Sequence, residues 1–411
     1  MQTILEKMRT ECIEEEYRRI YKDHPLEDII VFRSGPMRSQ YIEGTDFFDN
    51  SRALFEYMLE RRYNRRYELV WLVKNPADFA EYQTYENVKF LSFDWEDSGT
   101  RQQQDEYYRA LCLARYLFTT DAYGYMDGAR EDQIRVQLWH GCGFKTRMNF
   151  ARCEDRYEYT TVISELYADI HKEVYGLRSN QILVTGYAKH DWFYKPYEES
   201  IYELLGIEKA SKCIFWAPTF RIADERFASL NQGGLNTATG LPIVENMEQF
   251  ERLNELLAEC GTVLLIKLHF LQKESAIQKV KLSNIEVLSN QDMAGKKLVL
   301  NRLLASADAL ISDYSSTAVD FLNTDKPIAF TLDDVEEYEK NRGFVFDNIH
   351  EWLPGREIYS FQDFCSFVTE VAEGKDTTKE MRRRISAKML KYRDGNNCKR
   401  ICEALGITLE D

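Results

Sequence analysis

Short apolar runs rich in β-branched residues alternate with longer amphipathic stretches along the whole chain, and this alternation limits what it can fold into. Runs at 28–33, 67–73, 88–92, 114–119, 134–139, 159–163 and 181–185 are followed by runs at 212–217, 262–268, 285–288, 309–312 and 327–331. Near-continuous apolar strands separated by helix-length segments are the pattern of βα units whose parallel sheets are covered on both faces. The expected fold class is α/β, with two Rossmann-like, doubly wound parallel-sheet domains facing a cleft. A chain of 411 residues is long enough to bury two such cores. The break falls near 190–210, where DWFYKPYEESIYELLGIEKASK supplies a proline turn and an acidic helix ahead of CIFWAPTF. The expected units are 1–195, 196–380 and a basic carboxyl-terminal helical segment, 381–411. A Gly-, Asn- and Thr-rich stretch at 231–242 reads as a loop over the second unit.

Charge and cysteine usage narrow the function classes. A formal charge of −15 opposes general electrostatic binding of nucleic acid, which needs a net basic surface. The nine cysteines are scattered without a C-x-x-C pair, as reduced thiols are. The sequence has no apolar run near the ~20 residues of a membrane span and no apolar signal core, so a cytoplasmic location is expected. One segment is basic in this acidic protein: MRRRISAKMLKYRDGNNCKR, 381–400, reads either as a solvated helix face or as a contact for a polyanion or an anionic membrane surface.

Ligands of doubly wound sheets bind outside the carboxyl ends of the strands, so polar residues at strand ends are the candidates for chemistry. His140 closes IRVQLWH and His269 closes TVLLIKLH. A strand-end imidazole facing a cleft can act as a general base or stabilise charge, or it can be a hydrogen-bonded structural group. His24, His171, His190 and His350 lack that setting and read as structural or surface groups. Gly141, Gly143 and Lys145 follow His140, and small residues let a backbone approach an anion closely. The most informative string is ALISDYSSTAVDFLNTDKPIAF, 309–330, a strand, a turn and a helix opening on Ser315, Ser316 and Thr317. Backbone N–H and hydroxyl groups there suit a diphosphate, unless Asp313 or Ser315 merely caps the helix. Arg221 ends WAPTFR, and Lys267 shares a strand face with His269; singly each is an ordinary cation, and jointly with DYSS they would form an anion site. The sequence lacks D-x-D, H-E-x-x-H, GxSxG and GxxxxGK[ST] patterns, so no metal is implied and direct displacement is favoured over a covalent intermediate.

Taken in order, QLWHGCGFKT, TGYAKHD, WAPTFR, KLHF, ISDYSSTAVDFLNTDKPIAF and RGFVFD, together with IIVFRSG and NSRALFEYMLERRY near the start, resemble the CDP-glycerol glycerophosphotransferase family. That family includes the primases and polymerases of wall teichoic acid synthesis and related capsule enzymes. The resemblance implies a GT-B architecture, a CDP-polyol donor such as CDP-glycerol or CDP-ribitol, no tightly bound cofactor, and a lipid-linked or polymer acceptor at the cytoplasmic membrane face. It implies His140 as general base, His269, Ser315 and Ser316 as a diphosphate clamp, and Arg221 and Asp320 lining the same pocket. The chain departs from the family's usual strings in reading HGCGFK for HGTPLK, KLHF for KxHP, and Lys189 for arginine in GYxRxD. Two other classes stay open at this level: a GT-B nucleotide-sugar glycosyltransferase or epimerase, and a non-catalytic assembly protein at the membrane face.

Overall fold

The computed structural model describes residues 2–35, 41, 43–94, 100–120, 130–145, 156–219, 237–268, 277 and 280–409, the side chains of 2–10 and 290 apart. Its strands stand on the apolar runs, with one further strand, Arg356–Ile358, beyond them. The first sheet holds β1 (Glu27–Arg33), β2 (Glu68–Val73), β3 (Val88–Ser92), β4 (Ala114–Thr119), β5 (Ile134–Gln137), β6 (Tyr159–Val162) and β7 (Ile182–Val184). The second holds β8 (Lys212–Trp216), β9 (Thr262–Lys267), β10 (Ile285–Leu288), β11 (Ala309–Ser312), β12 (Ile328–Thr331) and β13 (Arg356–Ile358). Every pairing is parallel, in the orders β3-β2-β1-β4-β5-β6-β7 and β10-β9-β8-β11-β12-β13. Both contain the doubly wound order 3-2-1-4-5-6, whose direction reverses between β1 and β4 and between β8 and β11. This is the GT-B-like pair of Rossmann-like sheets.

The central strands are buried on both faces, which is why Ile214, Phe215, Trp216, Leu264, Leu265 and Ile266 can follow one another without alternation. Each fully buried side chain of this size contributes about 1.5–3 kcal/mol. The two halves also share a core. Trp139, Phe144, Tyr167 and Tyr187 of the first belong to one buried cluster with Phe215, Leu310, Tyr314 and Phe330 of the second.

The carboxyl-terminal segment returns to the first half. The Lys379–Met389 helix adds Ile385 and Met389 to the shared core, while the Asn397–Ala404 helix packs Cys398, Ile401 and Cys402 against the sheet that holds Ile30 and Phe32. Most of its cations are engaged internally, which is the outcome for the basic stretch at 381–400. Arg382 is fully buried, 2.5 Å from Asp376 and 2.8 Å from the Asp325 carbonyl. Arg383 pairs with Asp325, Lys391 with Glu165 and Arg400 with Asp394, and Lys388 lies over the Trp352 ring. Arg382, Arg383 and Lys391 thereby tie the segment to the body of the protein. Among the described residues no helix is long and apolar enough to cross a membrane.

Candidate active site

The chain leaves β5 in a conformation few residues adopt. Trp139 has φ +62°, a left-handed setting that costs a bulky residue on the order of 1–3 kcal/mol and persists only where its surroundings enforce it. Here they do. The Trp139 N–H donates to Gln137 Oε1 at 2.9 Å, and its carbonyl accepts from Asn50 Nδ2 at 3.0 Å. The indole stacks on His140 (centroids 5.2 Å) and meets His171 and Tyr175 edge-on. The strained residue thereby presents His140, which is exposed, at the rim of the first sheet.

Beyond His140 the loop runs into the second half. A Cβ placed on Gly141, whose φ is +156°, would lie 2.3 Å from Ser316 Oγ and 2.6 Å from Ser316 Cβ. On Gly143 it would lie 3.3 Å from the Ser316 Cα. Close approach therefore requires glycine at 141 and favours it at 143, and the HGCG loop rests on the start of the Ser316–Phe321 helix. Phe144 O accepts from Val345 N at 2.8 Å and Lys145 bridges Phe344, which brings in RGFVFD. Lys145 Nζ donates to Thr219 Oγ1 at 3.3 Å. Behind the loop, Cys142 Sγ lies 2.8 Å from Tyr187 OH and 3.6 Å from His171 Nε2. Burial pushes the Cys142 thiol up to about 12 and pulls His171 down to about 3, so this packing is uncharged near neutral pH.

On the second sheet, WAPT and DYSS leave β8 and β11, the neighbours at the switch point. The Asp313 carboxylate is wholly buried and committed to Thr219, accepting from its N–H at 2.8 Å and its hydroxyl at 2.5 Å. Ser315 is the N-cap, its Oγ accepting from Thr317 N at 3.3 Å and donating to Thr317 Oγ1 at 3.2 Å. The helix that follows is only six residues long before it tightens into a 3-10 turn at Leu322–Thr324. A helix this short concentrates little charge at its tip, and hydroxyls and local N–H groups are what it offers.

Asp320, at the far end of that helix, is 4% exposed and faces the first half. His190 Nε2 lies 2.7 Å from its Oδ1 and Lys189 Nζ 3.0 Å from its Oδ2. Burial would raise the Asp320 carboxyl, but Lys189 and the His190 hydrogen bond outweigh it and leave it below the usual carboxylate range. Asp49 goes the other way, raised by burial more than Lys189 can offset. Lys267, at the end of β9, is pulled down to about 8 by burial, which Asp292 only partly opposes, and it donates to the Leu268 carbonyl at 2.7 Å.

The structure thus gathers His140, Gly141, Lys145, Asp313, Ser315, Ser316, Thr317 and Asp320 where the two halves meet, and it sets Lys267 at the end of β9 in the second sheet. His269 and Arg221 lie outside the described residues. Three polar residues of this junction were not singled out as site residues from sequence: Asp49, Lys189 and His190. His190, read as structural or surface, is a buried partner of Asp320 across the junction. The only local sign of these residues was the GYAKHD string and an Asp-Asn pair opening a helix.

Comparison with known proteins follows the same lines. The chain is 31% identical over 280 residues to the teichoic acid glycerol-phosphate primase of Bacillus subtilis (strain 168), a match covering 64% of this chain and 65% of the primase. It is 25% identical over 346 residues to the teichoic acid poly(glycerol phosphate) polymerase of Bacillus spizizenii (strain ATCC 23059 / NRRL B-14472 / W23), covering 78% of each. The fold matches the solved wall teichoic acid polymerase TagF with a TM-score of 0.69 at 20% identity, over 96% of this chain and 93% of that one. A family model described as CDP-Glycerol:Poly(glycerophosphate) glycerophosphotransferase matches residues 28–406, from the first strand to the last helix, and the chain belongs to that family.

Proposed function

We propose that this protein transfers a polyol phosphate, most simply glycerol phosphate, from a CDP-polyol to an acceptor hydroxyl, releasing CMP. The reading rests on one observation above all: the HGCG loop of the first half lies directly on Ser316 of the second, so an imidazole and a hydroxyl-led turn share one site. In the step itself the acceptor oxygen attacks the β-phosphorus, the bond from that phosphorus to the bridging oxygen breaks, and CMP carries the electron pair away. His140 takes the proton of the incoming hydroxyl, while Ser315, Ser316, Thr317 and Lys267, with His269 and Arg221, hold the diphosphate and stabilise charge on its oxygens. Lys145 and Gly141 line the approach. Residues 1–195 form the acceptor side and 196–380 the donor side. The acceptor is a lipid-linked or polymer hydroxyl, met at the cytoplasmic face of the membrane, and no tightly bound cofactor is needed.

The test is CMP release from CDP-glycerol and CDP-ribitol with a lipid-linked or synthetic phosphodisaccharide acceptor. Turnover with either donor is expected, and His140→Ala should lower kcat about 100- to 10,000-fold while shifting donor affinity little. Stabilisation by UDP-sugars but not by CDP or CMP, with no CMP released, would replace this reading by a sugar-nucleotide one.

A further inference from the structure

Lys189 is buried, its side chain 6% exposed, and it meets acceptors from three distant parts of the chain. Its Nζ donates to the His140 carbonyl at 2.8 Å and lies 3.0 Å from Asp320 Oδ2 and 3.3 Å from Asp49 Oδ1. The ammonium thus hydrogen-bonds one main-chain carbonyl and lies between two carboxylates. Burial opposes its charge, but Asp320 and Asp49 outweigh that and hold the ammonium above the usual lysine range. The backbone of the same residue completes the frame: Lys189 N donates to Asn50 Oδ1 at 2.9 Å, and Asn50 Nδ2 donates to the Trp139 carbonyl at 3.0 Å. The carbonyls of Trp139 and His140, on either side of the bond that orients the imidazole, are thus both held from the Asp49–Asn50 and Lys189 positions.

A buried cation can hold main chain as well as side chains, as Arg382 does, so what distinguishes Lys189 is which main chain it holds. It spends a hydrogen on the main chain of the candidate base, next to a residue with φ +62°, and its other contact reaches the helix that begins at Ser316. We propose that Lys189 is a positioning residue, setting the His140 main chain and, through Asp320, keeping it in register with the donor-side helix. The proposal rests on the phosphotransfer reading above. The base would then be aligned only while the two halves are docked, because the contacts that align it come from both. A lysine concentrates its charge and its main-chain hydrogen bond at one atom, whereas a guanidinium spreads both over a flat fork.

Among the described residues, Asp49 from the Asp49–Glu60 helix and His171 from the Glu165–Tyr175 helix, itself neutral near pH 7, couple to His140, and the Lys189 ammonium, with Asp320 behind it, lies against its carbonyl. Removing Lys189 takes away a positive neighbour and should raise the titration midpoint of the imidazole; removing the Asp49 charge should lower it.

Three variants test this: Lys189→Met, the charge-balanced Lys189→Met/Asp49→Asn, and Lys189→Arg. Each is read by kcat and donor KM with the full protein, and by titration of 13C-labelled histidines with His140→Gln assigning the signal. Lys189→Met is expected to lower kcat about 10- to 100-fold with donor KM within about threefold of wild type. The double variant should return the His140 midpoint towards the wild-type value while kcat stays low, because the carbonyl is still unheld, and Lys189→Arg should recover part of the loss. The double variant carries the test should the single one fail to fold. Wild-type kcat in the double variant, or a loss confined to KM, overturns the proposal. Absence of CMP release from wild type would overturn the phosphotransfer reading instead, and the titration then decides on Lys189 alone: an unmoved His140 midpoint in Lys189→Met sinks it.

Discussion

A methyl group at position 141 would stand 2.3 Å from Ser316 Oγ, with Ser316 Cβ close behind it, so no rotamer of the short serine relieves the clash. Gly141→Ala is therefore expected to cost about 1–3 kcal/mol and to force the two halves apart locally, lowering kcat about 100-fold. Adding Ser316→Gly should restore the thermal midpoint but not turnover, since the removed hydroxyl belongs to the proposed clamp; recovery of both would show that the serine is only packing. Lys267 makes a second residue-level prediction. Burial lowers its pKa from 10.5 to about 8, so it is cationic below that pH and neutral above it. If it binds the donor diphosphate, donor KM rises as pH passes 8, and Lys267→Met has a raised KM without that dependence; an unchanged pH profile in the variant refutes the role. His140 and Gly141 were legible in the sequence because they follow a strand, where polar and small residues interrupt an apolar run, and Ser316 because it opens the helix after one. Asp49, Lys189 and His190 were not, because their meaning is a buried pairing among positions 49, 140, 189 and 320, and nothing local to any of them signals it.

Elements were read well where burial on both faces makes a strand continuously apolar. The runs at 88–92, 114–119, 285–288 and 309–312 coincide with β3, β4, β10 and β11. The strand β13, Arg356–Ile358, was missed because three residues, two of them charged, carry no apolar run. The helix after DYSS was expected but not its brevity, for the apolar face continues unbroken through Phe321 and Leu322 while the backbone tightens beneath it. The basic carboxyl-terminal stretch could not be assigned from sequence, and its last helix proves to complete the first half. Asp191 accepts from the N–H groups of Asn397 and Cys398 at 2.8 and 2.9 Å and so caps that helix, whose Ile401 is fully buried. Ile401→Ala should cost about 2–5 kcal/mol and Asp191→Ala about 1–2, both seen as a lower urea midpoint at constant slope. A variant truncated after Gly395 that still unfolds at the wild-type midpoint would show that the helix is dispensable.

For the molecule as a whole, the shared core has a thermodynamic consequence. Because Trp139, Phe144 and Tyr187 are buried among Phe215, Leu310 and Phe330, neither half can unfold without exposing apolar surface of the other. Far-ultraviolet, near-ultraviolet and calorimetric transitions should therefore coincide in one step, despite two sheets; separated transitions would show that the halves are energetically independent. By itself the sequence determined the two parallel sheets, the strand ends and the strings that sit on them, because burial and backbone pairing act over a few neighbouring residues. Only the tertiary structure decided that the HGCG loop lies on Ser316, that Lys189 draws Asp49, Asp320 and the His140 carbonyl together, and that the last helix folds back on the first sheet. Those contacts join segments up to hundreds of residues apart, and a side chain's local pattern holds no record of the partner that closes its hydrogen bonds.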